Sequence, residues 1–158
     1  MAPSRYVFRT MSAADLPRVR RWLAMPHVAE WWGDPDQQYI LVGTDLDEPA
    51  MEQFIVSIDE RPFAYLQCYD PRTWPEGNLG FHPDGTRGID QFIGDPDLVG
   101  RGHGHRMIRN FVDRLFGGGT PRGVTDPAAH NQRAIRAYEK AGFRKSPRSI
   151  PPTALPSS

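Results

Sequence analysis

Cysteine is almost absent from this chain of 158 residues: Cys68 is the only one. A single thiol cannot form an internal disulfide, and it cannot supply the clustered thiolates of a structural zinc site. The sequence also lacks a run of about 18 apolar residues that would span a membrane, and residues 1–9 lack the apolar stretch of a secretory signal. Together these absences predict a cytoplasmic protein, since disulfide-free chains suit a reducing compartment.

An excess of charge of either sign is missing too. The 19 Lys and Arg residues balance 19 Asp and Glu residues, for a formal net charge of +0. That balance argues against a protein that binds nucleic acid through its whole surface. The chain is 39% hydrophobic and 24% charged, as in an average soluble globular protein, and its length is about that of one domain.

The C-terminal stretch, residues 146–158, has no hydrophobic periodicity and contains four prolines and four serines. Such a composition is typical of a tail rather than of a helix or strand. We therefore expect one domain over residues 1–145, followed by this tail.

The hydrophobic pattern of the remaining chain alternates between strand and helix periods. It predicts strands over residues 6–11, 54–58, 63–69, 88–94 and 124–126, helices that begin near residues 15, 27 and 131, and an amphipathic helix whose apolar pattern runs from 107 to 116. Residues 34–48 are polar without a clear period, and residues 70–86 read as a long loop. The order of elements indicates an α/β fold with a mixed, mostly antiparallel sheet flanked by helices.

The segment Val99–Arg106, VGRGHGHR, places three glycines at alternate positions before a strongly amphipathic helix. Glycines let the backbone approach a ligand closely, and a helix start offers unpaired N–H groups to an anion. The pattern therefore predicts a pyrophosphate cradle; the alternative is a glycine-rich connection without a ligand. A P-loop would need Lys and then Ser or Thr after the last glycine, and a dinucleotide fingerprint would need its third glycine one residue later.

Two motifs resemble those of the GNAT acetyltransferase superfamily. Gly102 and Gly104 match its pyrophosphate loop, Arg/Gln-x-x-Gly-x-Gly or Ala, although Val99 stands at the Arg/Gln position. Residues 131–143 match its Asn-x-x-Ala-x-x-x-Tyr-x-x-x-Gly-Phe pattern. Three shorter stretches, EWWG at 30–33, RGIDQ at 87–91 and TDP at 125–127, are similar to aminoglycoside 6′-N-acetyltransferases and related siderophore acyltransferases.

This resemblance implies transfer of an acetyl group from acetyl-CoA directly to a primary amine, without a metal, and an aminoglycoside-like amine is the favoured substrate. It also implies that strands near Gln91 and Val124 run parallel and splay apart to admit the cofactor. Two alternatives remain open: acylation of a siderophore amine or hydroxylamine, and a CoA-binding protein that has lost catalysis.

The resemblance also assigns residue roles. Asp90 would accept a proton or pair with the amine, and its alternative is a structural carboxylate. Tyr138 would protonate the leaving thiolate, and its alternative is a core aromatic. The residues expected to bind the cofactor are Gln91, Phe92, Ile93, Val99, Gly100, Arg101, Gly102, His103, Gly104, His105, Arg106, Asn131, Ala134 and Tyr138. Asn131 is equally well explained as a helix N-cap.

Aromatic rings and carboxylates suit a polycationic amino sugar. The residues expected to bind this substrate are Trp31, Trp32, Tyr65, Trp74, Glu76, Asp90 and Asp126. For any single aromatic residue, packing in the core is the more common role.

The tail departs from the resembling enzymes, which continue with a strand hairpin that closes the sheet. Pro147, Pro151 and Pro152 cannot donate to a strand ladder. We expect one short strand at most after Gly142, and thus a missing or truncated hairpin. An open sheet edge of that kind favours a homodimer in which a second chain covers it.

Overall fold

The computed structural model describes residues 5–73, 84–125, 127 and 131–144. Within them the strands are β1 (Tyr6–Thr10), β2 (Met51–Ile58), β3 (Arg61–Tyr69), β4 (Arg87–Ile93) and β5 (Gly123–Val124). The helices are α1 (Leu16–Leu23), α2 (Pro26–Trp32), α3 (Pro35–Asp45), α4 (His103–Gly117) and α5 (Gln132–Lys140). Short 3-10 turns cover Ala13–Asp15, Pro71–Thr73 and Pro96–Leu98.

The five strands form one sheet in the order β1-β2-β3-β4-β5. β1 lies antiparallel to β2, with Tyr6 opposite Ile58. β4 and β5 are parallel, with Arg87 opposite Gly123 and Gly88 opposite Val124. The prediction of a mixed, mostly antiparallel sheet with flanking helices is confirmed.

A two-residue turn joins β2 to β3. Asp59 and Glu60 both have left-handed φ angles, 48° and 70°, as the central residues of a type I′ turn do. This turn is shorter than the one the sequence suggests, because β3 already begins at Arg61.

The chain clusters into two compact units. Of the described residues, one unit comprises 5–67 and 91–101, and the other comprises 68–73, 84–90 and those between 102 and 144. The first unit holds a buried cluster to which α1, α2, α3, β2, β3 and β4 contribute: Met11, Val19, Trp22, Leu23, Val28, Val42, Ile55, Tyr65 and Phe92.

Helix α3 corrects the sequence analysis, which left residues 34–48 without an element. The Asp34 side chain caps the helix by accepting a hydrogen bond from the Gln37 N–H at 2.9 Å, and Pro35 suits its first turn. Its hydrophobic residues do not follow the helical period, because Val42 is buried while Ile40 and Leu41 are exposed. Helix formation here depends on capping and tertiary contact more than on amphipathicity.

In the second unit, α4 buries one apolar stripe, formed by Met107, Ile108, Phe111 and Val112. α5 buries Tyr138, whose ring packs edge-on against Phe143 with 5.4 Å between centroids. The predicted helices at both places are confirmed.

Two further expectations concern membrane-spanning helices and the C-terminal tail. Among those residues, no helix is both long and apolar enough to cross a membrane. The predicted irregular tail, its missing hairpin and the exposed edge that would favour a homodimer concern residues from Lys145 onward, which lie outside the described ranges.

Candidate active site

Within the described residues, the backbone register between strands β4 and β5 is short. Their parallel register covers Arg87 with Gly123 and Gly88 with Val124. One residue further along β4, the Thr125 hydroxyl donates to the Ile89 carbonyl at 2.9 Å, so a side chain takes the place of the next backbone partner. β4 itself continues to Ile93, and Asp90 is the first residue beyond this side-chain contact.

Asp90 lies half-buried on β4. Side chains alternate along a strand, so Asp90 shares a face of the sheet with Gly88. A Cβ at Gly88 would clash with the Tyr69 ring, which therefore covers the backbone of β4 on that face. Glycine at position 88 makes room for the Tyr69 ring beside the candidate catalytic carboxylate.

The backbone N–H and C=O groups of the three predicted cofactor residues of β4 do not all point to the same edge of the strand. The Gly94 N–H donates to the Phe63 carbonyl of β3 at 2.8 Å, and a trans peptide points its C=O in the opposite direction. The backbone groups of Gln91 and Ile93 thus face away from β3, and those of Phe92 face toward it. The Phe92 ring is buried as well, so the structure gives Phe92 a packing role.

The glycine-rich loop has the backbone geometry that the sequence predicts. Gly100 and Gly102 adopt left-handed φ angles of 78° and 85°, and Gly102 is the N-cap of α4. A Cβ at Gly102 would lie 3.5 Å from the Arg106 guanidinium carbon and from the His105 Cε1. Both of these side chains therefore border the turn that precedes the helix, while His103, the first helical residue, is buried.

Positive side chains near this helix start act on His105. Burial, followed by the nearby positive charges of Lys140 and Arg106, lowers the pKa of His105 below its usual value. The lowered pKa favours the neutral form of His105 near pH 7. In the part of the chain that the structure describes, no group of three His, Cys, Asp or Glu side chains could hold a metal ion.

Asn131 and Tyr138 of the second motif both have a visible structural role. The Asn131 Oδ1 accepts a hydrogen bond from the Ala134 N–H at 3.1 Å, which is the N-cap arrangement. Tyr138 is 5% exposed and packs on Phe143, as a core aromatic does. Neither role excludes chemistry, because a tyrosine can bury its ring and direct its hydroxyl elsewhere.

The aromatic residues predicted to bind substrate are placed differently from one another. Tyr65 is completely buried, and its hydroxyl accepts from Gln53 at 3.1 Å and donates to Gln67 at 2.7 Å. The structure therefore corrects the sequence analysis by placing Tyr65 in the core of the first unit rather than in a cleft wall. Trp31 and Trp32 are half-buried. Trp74, Glu76 and Asp126 lie outside the described residues.

A contact that the sequence analysis missed holds the end of β4. The Nε2 of His27, on α2, lies 2.8 Å from the Ile93 carbonyl oxygen. The two residues are 66 positions apart, and no motif links them, so the sequence carries no signal for this pair.

Comparison with known proteins identifies the class to which this fold and site belong. The family described as the acetyltransferase (GNAT) domain matches residues 12–149. The chain belongs to this family and is an acetyltransferase.

Its relatives include enzymes of one substrate class. The chain is 33% identical to the aminoglycoside N(6′)-acetyltransferase type 1 of Klebsiella pneumoniae, over 87% of this chain and 73% of that protein. It resembles the solved structure of AAC(6′)-Ib in complex with paromomycin and acetyl-CoA, with a TM-score of 0.80 and 31% identity, over 90% of this chain and 85% of that one. The aminoglycoside N(6′)-acetyltransferase of Legionella pneumophila gives a TM-score of 0.73 at 30% identity, over 91% and 83% of the two chains.

Proposed function

We propose that this acetyltransferase transfers an acetyl group from acetyl-CoA to a primary amine of an aminoglycoside. The observation that carries the proposal is the arrangement of β4. Within the described residues its backbone register with β5 covers Arg87 and Gly88, its outward backbone groups continue past Asp90, and the glycine-rich turn and helix start follow it in the chain. Along the chain, Asp90 therefore supplies a carboxylate, the rest of β4 supplies a strand edge, and the glycine-rich turn supplies a place for an anion.

The acyl donor would be held mainly by backbone. The loop from Gly100 to Arg106 would receive the pyrophosphate, because the left-handed φ angle of Gly102 turns the chain directly into the start of α4. Arg106 would add a positive charge beside it. The outward groups of Gln91 and Ile93 match the amide groups of a pantetheine arm, which can pair with a strand edge as another strand would.

The reaction needs a proton acceptor and a proton donor. Asp90 would hold the substrate ammonium and take its proton, which leaves a neutral amine to attack the thioester carbonyl. A C–N bond forms and the C–S bond breaks. Tyr138 would donate its phenolic proton to the departing thiolate and regain a proton from the attacking nitrogen, which carries one too many once the C–N bond has formed. The products are an acetamide, the free thiol and the proton taken up by Asp90, which is released to solvent. No covalent enzyme intermediate is required.

The substrate class rests on the relatives. Two relatives, from Klebsiella pneumoniae and Legionella pneumophila, are 33% and 30% identical to this chain and carry the name aminoglycoside N(6′)-acetyltransferase. The chain is also 26% identical to the N(6)-hydroxylysine O-acetyltransferase of Escherichia coli, but over 43% of that protein. Hydroxylysine is therefore the informative competing substrate.

The test is a thiol-release assay with acetyl-CoA and either kanamycin or N(6)-hydroxylysine, combined with an Asp90→Asn variant. We expect kcat/KM to be higher for kanamycin. The variant should bind CoA normally and turn over roughly 10²–10⁴-fold more slowly, since the amide neither accepts a proton nor balances an ammonium.

The matched control is Asp113→Asn, because Asp113 is an exposed carboxylate on α4 that pairs with Arg109; it should leave the rate unchanged. A faster reaction with hydroxylysine would contradict the aminoglycoside assignment. Equal rates for the Asp90→Asn variant and the wild type would show that Asp90 is structural.

A further inference from the structure

The peptide that joins Ile93 to Gly94 is held on both sides. Its N–H donates to the Phe63 carbonyl on β3 at 2.8 Å. Its C=O points the opposite way, where it meets Nε2 of His27 at 2.8 Å. A third contact fixes the Gly94 α-carbon, because any Cβ there would overlap the indole ring of Trp22. The last peptide of β4 is thus clamped by a strand, a histidine and a tryptophan.

The contact with a carbonyl oxygen determines that Nε2 of His27 is a donor. A carbonyl oxygen only accepts, so Nε2 must carry a proton, as it does in one neutral tautomer and in the imidazolium. His27 sits in the first turn of α2, directly beside the buried residue Val28. The core of the first unit therefore sets the position of the imidazole.

The carbonyl that His27 occupies lies on the edge of β4 that faces away from β3. Gln91 presents its N–H and C=O on the same edge, and Ile93 presents its N–H there. A rotation of the last peptide would shift the spacing of these groups. A lost contact at the Ile93 carbonyl would also leave an unpaired acceptor beside them.

We propose that His27 is a positioning residue for the acyl donor: by holding the Ile93 carbonyl, it aligns the outward backbone groups of Gln91 and Ile93 for the amides of the pantetheine arm. This inference rests on the proposed function, because it assumes that the β4 edge receives the donor. His27 acts through the backbone of β4 and takes no part in the proton transfers.

The experiment compares two substitutions of His27. His27→Met keeps a similar length without a donor, whereas His27→Gln offers an amide N–H at nearly the reach of Nε2. Calorimetry with CoA should show an affinity about tenfold lower for His27→Met, the loss expected for one hydrogen bond to a partly buried group. His27→Gln should recover most of this loss. The kcat at saturating acetyl-CoA should stay within about twofold of the wild-type value in both variants.

The control variant, Val56→Ala, removes buried volume from β2 and lowers stability without touching the clamp; its CoA affinity should equal that of the wild type. Amide hydrogen exchange at Gly94 gives a readout that needs no ligand, and it should be faster in His27→Met than in His27→Gln.

Three outcomes would overturn the inference in different ways. If the amide exchange at Gly94 and the CoA affinity were both unchanged in His27→Met, the hydrogen bond from His27 would not be what holds this peptide. If the Gly94 amide exchanged faster but the CoA affinity were unchanged, His27 would be a structural residue without a role in donor binding. A wild-type chain that binds no CoA would refute the proposed function, and the positioning role with it, whatever the exchange data show.

Discussion

The core of the first unit and the surroundings of the candidate site in the second unit are stabilised by different kinds of contact. In the first, aromatic rings pack together: Phe92 stacks on Tyr65 with 5.3 Å between centroids and meets Trp22 and Trp32 edge-on. In the second, the described contacts around the candidate site are single hydrogen bonds and turns, such as the Asn131 cap and the Gly102 turn. A substitution that changes the volume of one packed ring disturbs its neighbours, whereas a cap or a turn can be altered without disturbing other residues. Substitutions among the packed rings of the first unit should therefore act on stability, whereas those at the Gly102 turn and at the Tyr138 hydroxyl of the second should act on binding and chemistry.

The sharpest test of this difference is Gly94→Ala in the first unit. The added Cβ would overlap the Trp22 ring, and Trp22 is buried against Phe92, so neither side has room to move. We expect a loss of more than about 3 kcal/mol in the free energy of unfolding, at the upper end of overpacking effects. Urea denaturation followed by tryptophan fluorescence measures it.

Gly100→Ala is the control for backbone strain, because no atom lies within 4 Å of its added Cβ. Its positive φ angle should cost about 1–2 kcal/mol. If Gly94→Ala were no more destabilising than Gly100→Ala, close packing against Trp22 would not be what restricts position 94 to glycine.

Tyr138→Phe tests the chemistry of the second unit. The ring and its contact with Phe143 remain, so the free energy of unfolding should change little. Turnover should fall roughly 10²–10⁴-fold, as for loss of an acid–base group. Steady-state kinetics at saturating acetyl-CoA measure this, and a normal rate would leave Tyr138 with packing as its role.

Gly102→Asp tests whether the glycine turn is a binding element. The new carboxylate would lie beside Arg106 and would place a negative charge where the pyrophosphate is proposed to sit. We expect CoA affinity to fall by about tenfold or more, since a charge-assisted contact is replaced by repulsion.

Gly102→Asn serves as the matched control, because it adds the same volume and the same strain without charge. Calorimetry on both variants separates the two effects. Equal affinities for Gly102→Asp and Gly102→Asn would contradict an anion cradle.

The smallest predicted effect concerns Asp15, a buried carboxylate of the first unit. It accepts hydrogen bonds from Arg9 at 2.7 and 3.0 Å and from the Ser12 N–H at 2.9 Å. Chiefly because of the Arg9 guanidinium, the pKa of Asp15 lies below its usual value. A depressed pKa stabilises the fold above the unfolded-state value, and that contribution is lost as the pH falls through the folded-state pKa.

Asp15→Asn should therefore lower the free energy of unfolding by about 1–2 kcal/mol at pH 7. Below about pH 4 the gap to the wild type should narrow, because the wild-type carboxyl becomes protonated too. Urea denaturation at pH 7 and pH 3 measures both values, and a constant difference would contradict the ion-pair explanation.

The sequence predicted what is local and periodic. Strand and helix alternation located β4 and α4, and the spacing from Asn131 to Phe143 located α5. Helix α3 was not predicted, because Ile40 and Leu41 are exposed and the helical period of hydrophobic residues is therefore weak there. Tyr65 was misassigned because an aromatic residue suits a cleft and a core equally well before its neighbours are known. The bond from His27 to the Ile93 carbonyl depends on how distant segments meet, which no local pattern encodes.

The tight turn between β2 and β3 has a consequence for how readily this enzyme can change. Asp59 and Glu60 both hold left-handed φ angles that glycine would adopt without strain. Glu60 is exposed, so Glu60→Gly would relax the turn without disturbing the ion pair between Arg5 and Asp59. Glu60→Gly is thus a stabilising substitution that the chain has not used, at a turn distant in sequence from Asp90, Gly102 and Tyr138. An enzyme under selection could gain it first, since substitutions that broaden substrate range often destabilise the fold and survive only above a stability threshold.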